Sequence, residues 1–137
     1  MPSVVSSAKT PSIPEPKGEV VIRTIAMPGD ANANGAIFGG WIMAQMDLGG
    51  AILARSLSRS RVTTAAVEAM RFVAPINSGD VVTCYARVAR TGRTSVGIAL
   101  QVSVARYVDG SKVMVTHGTF TYVALDEIGK PLPINRP

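Results

Sequence analysis

Asp47 is the only ionisable side chain between Asp30 and Arg55, and apolar residues surround it. A carboxylate in such a setting costs several kcal/mol unless it is paired, hydrogen-bonded or protonated. Two chemistries fit it: a structural acid satisfied by Ser, Thr or backbone groups of a neighbouring strand, or a general base or nucleophile in an apolar pocket. The residues alone leave both open. Gly39-Gly40 stands about two helical turns earlier. Free N–H groups at a helix start, with no side chains in the way, can hold an oxyanion or polarise a carbonyl. A lone Gly-Gly pair is also ordinary loop material. A buried carboxylate on the same helix gives the pair more meaning, and together they suggest acyl-group chemistry.

The other chemistry-bearing residues have simpler readings. His117, on the face of Val113, Val115 and Val123 in an alternating strand, reads first as a packed or hydrogen-bonded histidine. Cys84 alternates with apolar residues and reads as core filler. Glu68 reads as the partner of a nearby Arg. Arg87, Arg90 and Arg93 read as solvated strand ends, with phosphate binding as the alternative. One Cys and one His exclude a disulfide framework and a cysteine-based zinc site, and no metal motif, Gly-rich phosphate loop or dinucleotide fingerprint is present.

The elements that must position these groups follow from periodicity. Ile42, Met46, Gly49, Leu53 and Leu57 keep helical spacing, which predicts a helix over about 39–57 that is apolar nearly all round. Residues 37–54 hold no Lys, Arg or Glu, but Gln45, Asp47 and the glycines within barely the minimum span argue against a membrane crossing. Gly49-Gly50 in mid-helix costs about 1 kcal/mol per residue against Ala, tolerable where another backbone lies close. Strands are expected at 19–26, 62–75, 81–90, 96–104 and 112–125, with tight turns at 91–93 and 107–111. One strand, one long helix and four strands imply an α+β fold in which a curved antiparallel sheet wraps a central helix. One sheet covers one face of that helix, so the other face calls for a partner subunit.

The chain has 137 residues, enough for one domain; 47% are hydrophobic and 17% charged, so most of it can fill a core. Residues 1–18 carry four of the nine prolines with no apolar period and are expected to be a flexible N-terminal arm. The domain is expected over 19–131, with a C-terminal tail at 132–137. The N-terminal residues lack a basic segment followed by an apolar one, so no signal peptide is read, and a free Cys agrees with a cytoplasmic location. The net charge is +5. The arginines, densest at Arg55, Arg59 and Arg61 and at Arg87, Arg90 and Arg93, are not interleaved with the aromatics that stack bases. Composition therefore favours a small phosphate-bearing ligand over nucleic acid.

The stretch MPGDANANGAIFGGWIMAQMDLGGAILA (27–54) resembles the hotdog-fold acyl-CoA thioesterases, most closely their YciA-like branch. The similarity continues through 62–88, 92–102 and 119–131, so it covers all but the two tails. The combination of NANG, IFGGW and QMD followed by GGAI is specific. The resemblance implies a hotdog fold, a cytoplasmic homodimer assembling to a hexamer as a trimer of dimers, and a hydrolase of fatty-acid metabolism. Its reaction would be the cleavage of acyl-CoA to coenzyme A and a carboxylic acid, with no cofactor or metal.

The site residues it implies carry over one by one. The YciA-like branch usually has a catalytic Asp before Ile-Phe-Gly-Gly, and related long-chain hydrolases have an Asn; here the residue is Ala36. A second branch places its essential Asp on the helix at the position of Asp47, with a helpful Asn at that of Asn32. Three accounts stand: Asp47 works with Asn32, activity is much reduced, or Ala36 is a replacement made to trap a ligand. The implied mechanism points the thioester carbonyl at the N–H of Gly40 and Gly39. Asp47, reaching across a dimer interface, activates water or attacks, and Asn32 orients the water or the carbonyl. Loss of a general base at position 36 would cost about 10²–10⁴-fold. The CoA phosphates are expected at Arg93, Thr94 and Ser95, with Arg71 of another subunit. The acyl pocket is expected where Trp41, Met43, Met46 and a partner strand meet. A non-catalytic acyl-CoA-binding protein is the alternative; a hotdog dehydratase would need a His near the helix start, where Phe38 stands.

Overall fold

The computed structural model describes residues 16–136. Five strands, β1 (Glu19–Ile25), β2 (Arg61–Phe72), β3 (Val81–Thr91), β4 (Ser95–Ala105) and β5 (Lys112–Leu125), form one antiparallel sheet in the order β1-β3-β4-β5-β2. The helix α1 (Gly39–Ser58) lies across its inner face and touches all five strands. This is the α+β arrangement expected from the sequence, and no helix among the described residues is long and apolar enough to cross a membrane.

The core forms where the alternating strand residues meet the helix stripe. Val82, Cys84 and Ala86 of β3, Val96, Ile98, Leu100 and Val102 of β4, and Phe120 and Tyr122 of β5 are buried against Ile42, Met46, Leu53 and Ala54. Full burial of each such aliphatic side chain is worth about 1.5–3 kcal/mol. The helix is less enclosed than its composition suggests. Leu48 and Ile52 are 59% and 50% exposed on the face turned from the sheet, and β2 is an edge strand exposed along most of its length.

The two mid-helix glycines answer two specific neighbours. An added Cβ at Gly49 would lie 2.7 Å from Cγ2 of Val21 on β1. At Gly50 it would overlap the Tyr122 hydroxyl and come within 2.9 Å of the ring. The helix ends where Arg59 turns left-handed at φ 53° and its N–H bonds the Arg55 carbonyl.

Two local irregularities change faces that alternation alone predicts. In β5, Thr116 pairs with Val102 and Met114 with Ser103, leaving Val115 as an extra bulged residue. Each such insertion flips the side chains that follow. His117 therefore pairs with Gln101 on the outer face, and the expectation that it shares a face with Val115 and Val113 is corrected. In β2, Ala69 and Met70 oppose Gly118, with Ala69 at φ 54°.

Of the arm expected at 1–18, residues 1–15 lie outside the described residues. The 132–137 segment expected as a tail is held on the body as far as Arg136. Leu132 N–H bonds the Ala124 carbonyl, Ile134 N–H bonds the Arg93 carbonyl, and the Arg136 guanidinium bonds the Ser58 carbonyl at 2.7 Å.

Candidate active site

The loop before α1 is built by its own asparagine. Asn32 Oδ1 accepts from the N–H of Asn34 at 2.9 Å and of Ala36 at 3.2 Å, and Asn32 N–H bonds the Ala36 carbonyl at 2.8 Å. Asn side chains favour such turns. The amide oxygen is therefore committed to the loop, while the side-chain NH2 donates to no group among the described residues. Ala36 bridges Asn77, and Ile37 N–H bonds the Ile76 carbonyl at 2.8 Å, so the loop is seated on the turn between β2 and β3.

The helix then starts without a side-chain cap or an acidic residue in its first turn. The backbone N–H groups of Trp41 and Ile42 reach back to the Phe38 carbonyl at 3.1 and 3.4 Å. Those of Gly39 and Gly40 have no backbone acceptor among the described residues. Unpaired donors at a helix N-terminus present partial positive charge to an incoming oxygen. Nothing lies within 4 Å of where a Cβ of Gly40 would be. Beside Gly39 a pocket of about 330 Å³ is lined by Ile37, Ile42, Phe72, Val73, Ala74 and Pro75. Trp41, Met43 and Met46, expected to shape the acyl pocket, do not line it within one chain.

Asp47 lies seven residues beyond Gly40, about 10 Å along the helix axis. Its carboxylate is held by two hydroxyls from the sheet. The Thr64 hydroxyl donates to Oδ1 at 2.6 Å, and the single Tyr122 hydroxyl proton is shared between the Asp47 carbonyl at 2.9 Å and Oδ1 at 3.2 Å. Thr64 and Tyr122 are register partners across β2 and β5, so both reach the helix at one level. Oδ2 has no partner among the described residues. Burial and then the nearby Asp47 charge push the Tyr122 hydroxyl well above its ordinary pKa, so it remains a donor. No cation lies within ion-pairing distance of Asp47 among the described residues. Thr64 and Tyr122 are absent from the sequence reading. A hydroxyl partner from a neighbouring strand was expected in kind, but register decides which one.

The proposed CoA contacts do not converge within one chain. Arg93 and Thr94 lie in the β3–β4 turn and Ser95 opens β4, close to Leu57 and Ile134 at the helix C-terminal end. That is roughly a helix length, about 30 Å, from Gly39. Arg71 lies at the other end of the sheet, next to Phe72, whose ring touches the space beside Gly39 at 3.4 Å. Arg71 pairs in register with His117 on the outer face. Glu68 is ion-paired with Arg90 at 3.3 Å, as expected, and Arg90 crosses over Gly97 to bond the Thr121 hydroxyl at 2.8 Å. Arg61 is spent on the carbonyls of Asp126 and Glu127. Cys84 is fully buried, and burial pushes its thiol up to about 12, which leaves it inert as a nucleophile. No group of three or more His, Cys, Asp or Glu among the described residues could hold a metal.

Comparison with known proteins gives this arrangement its context. The Thioesterase superfamily profile matches residues 34–105. The acyl-CoA thioester hydrolase YciA of Salmonella typhimurium is 51% identical over 122 residues, covering 87% of this chain and 92% of its own. Two solved hexameric thioesterases superpose closely. The thioesterase y2039 of Yersinia pestis has a TM-score of 0.85 at 48% identity, with 88% of this chain and 99% of that one covered. HI0827, a broad-specificity acyl-coenzyme A thioesterase, has a TM-score of 0.85 at 48% identity, with 90% and 85% covered. A more distant relative, the acyl-CoA hydrolase of Staphylococcus aureus, has been solved as an Asn-to-Ala and as an Asp-to-Ala mutant; the latter is 28% identical with a TM-score of 0.75, covering 82% of this chain and 69% of that one. The chain belongs to the thioesterase superfamily, among the hotdog-fold acyl-CoA thioester hydrolases of the YciA type.

Proposed function

We propose that this protein hydrolyses acyl-CoA thioesters to coenzyme A and a carboxylic acid, without a cofactor, in the cytoplasm. The observation that carries the proposal is the uncapped start of α1, where the N–H groups of Gly39 and Gly40 stand unpaired beside an apolar pocket. The thioester oxygen takes those donors, and the acyl chain takes the pocket. Asp47 lies too far along the same helix to reach that carbonyl. It therefore serves the site of a second copy, whose docking covers Leu48, Ile52 and the open edge of β2. The hexameric relatives support such an assembly, and we propose that it is a trimer of dimers.

In the reaction, a water oxygen adds to the thioester carbon while Asp47 Oδ2 takes its proton. The carbonyl electrons move onto the oxygen held by Gly39 and Gly40. Their return breaks the carbon–sulfur bond, and the thiolate leaves with the proton from Asp47. The free NH2 of Asn32 orients the water or the carbonyl. The Staphylococcus aureus mutants support this pairing, because their two substituted positions lie fifteen apart and Asn32 and Asp47 have the same spacing. The CoA phosphates are assigned to Arg93, Thr94 and Ser95 of one subunit and Arg71 of another.

Ala36 favours a second reading, an acyl-CoA-binding protein with little turnover, since its methyl group can do no chemistry. Hydrolysis of a short panel of acyl-CoAs by the wild type, Asp47→Ala and Ala36→Asp decides between them. Turnover that Asp47→Ala abolishes supports the enzyme. A silent wild type that Ala36→Asp revives supports the binding form. Failure of every variant to hydrolyse or bind acyl-CoA would sink both readings.

A further inference from the structure

We infer that Tyr122 is a positioning residue for hydrolysis: its hydroxyl, admitted by the missing side chain of Gly50, fixes the Asp47 carboxylate so that Oδ2 is the oxygen left for the reaction. The inference rests on the thioesterase reading above and deepens it.

A free aspartate rotates about its last bond and presents either oxygen, because that torsion is broad. Asp47 does not have this freedom. Oδ1 accepts from Thr64 at 2.6 Å and takes the longer limb of a shared Tyr122 proton at 3.2 Å, so it is engaged from the sheet side. The Tyr122 hydroxyl also bonds the Asp47 backbone carbonyl at 2.9 Å, which ties the side chain and its own turn of the helix to one oxygen atom. Tyr122 is itself fully buried and its ring stacks on Phe120 with centroids 6.5 Å apart, so the hydroxyl cannot swing away.

Gly50 is the condition for this contact. Any Cβ there would overlap the hydroxyl, three residues along from Asp47 on the same helix. A glycine inside a helix is unfavourable relative to Ala, and here it makes room for one hydrogen-bond donor. A general base must have its acceptor lone pair aimed at the proton it takes, and misplacement by an ångström is costly in rate. Tyr122 acts on that aim and touches no reacting atom.

The test compares wild type, Tyr122→Phe and Gly50→Ala at a temperature well below the melting point of each, on one acyl-CoA. Tyr122→Phe keeps the ring and loses only the donor. Its kcat is expected to fall at least tenfold with KM changed less than twofold, a split that loss of general packing would not give. Gly50→Ala is expected to move kcat in the same direction while keeping the hydroxyl, and it decides the matter if Tyr122→Phe does not fold. A folded Tyr122→Phe with unchanged kcat, or with only KM raised, overturns the inference. If neither the wild type nor Ala36→Asp turns over any acyl-CoA, the thioesterase reading has failed separately. A crystal structure of Tyr122→Phe then settles the positioning claim, which is overturned if the Asp47 carboxylate keeps its orientation.

Discussion

The carboxylate of Asp80, 2% exposed, meets the Arg106 guanidinium at 2.8 Å and also takes the backbone N–H groups of Asn77 and Tyr107. Arg106 bonds the Pro75 carbonyl as well. These contacts clamp the turn between β2 and β3 against the end of β4. That turn in turn holds residues 35–37 just before Gly39-Gly40, through the carbonyl of Ile76 and the bridge from Asn77 to Ala36. The clamp is thus a structural support for the uncapped helix start.

Burial alone would push the Asp80 carboxyl up, but the two backbone donors and Arg106 outweigh it and hold its pKa below the ordinary value. A carboxyl depressed on folding contributes stability that is full above its unfolded pKa, about 4. That contribution is lost as pH falls below about 4 towards the folded value. Melting curves between pH 7 and pH 3 should show the loss in the wild type and a shallower acid fall in Asp80→Asn. At pH 7 the variant should be less stable by about 3–5 kcal/mol, the cost of stranding one partner of a buried pair. Equal melting points at pH 7 would remove Asp80 from the clamp.

Thr116 offers a change in the opposite direction. Its side chain is fully buried, and its hydroxyl is the one buried side-chain polar atom without a partner among the described residues. An unsatisfied hydroxyl costs about 1–3 kcal/mol. Thr116→Val keeps the branched shape and removes that cost, so it should raise the denaturation midpoint, by about 1 kcal/mol in stability. A fall instead would mean that the hydroxyl has a partner in solution.

Much of the fold was legible because its periods are strong. The helical spacing from Ile42 to Leu57 and the alternation in β3 and β4 mark elements and faces. Asp47 was visible as a lone charge in an apolar run. Its partners were not, since they depend on register between strands 58 residues apart in the chain (Thr64 and Tyr122) and on bulges that no alternation signals. The bulge at Val115 turned His117 outward, reversing the reading of that residue, and Thr116 inward. Gly49-Gly50 announced a close approach, but only the tertiary packing identifies Val21 and the Tyr122 hydroxyl as what approaches.

The bulge in β2 carries its own strain. Ala69 sits at φ 54°, a left-handed conformation that costs a residue with a Cβ about 1–2 kcal/mol. It lets Met70 turn inward over Gly118, where an added Cβ would meet the Met70 sulfur at 2.5 Å. Ala69→Gly removes that strain, partly offset by about 0.5–1 kcal/mol of extra chain entropy lost by glycine. The expected result is a stability gain of up to about 1 kcal/mol in a denaturant titration. A clear loss would show that position 69 is not left-handed in solution.

Gly40 allows the backbone donor to be tested without touching a side chain. Proline lacks the N–H and is tolerated in the first helical turn, where that group has no intrahelical partner. The space around Gly40 is open in this chain, so Gly40→Pro should fold with a melting point near the wild type. If the Gly40 N–H stabilises the developing oxyanion, kcat should fall about 10²–10³-fold, the loss seen when one oxyanion donor is removed. Gly40→Ala, which keeps the N–H, should retain most of the activity, and this contrast separates the donor from the space. Equal losses in both variants would assign the role of Gly40 to room for the substrate instead of hydrogen bonding.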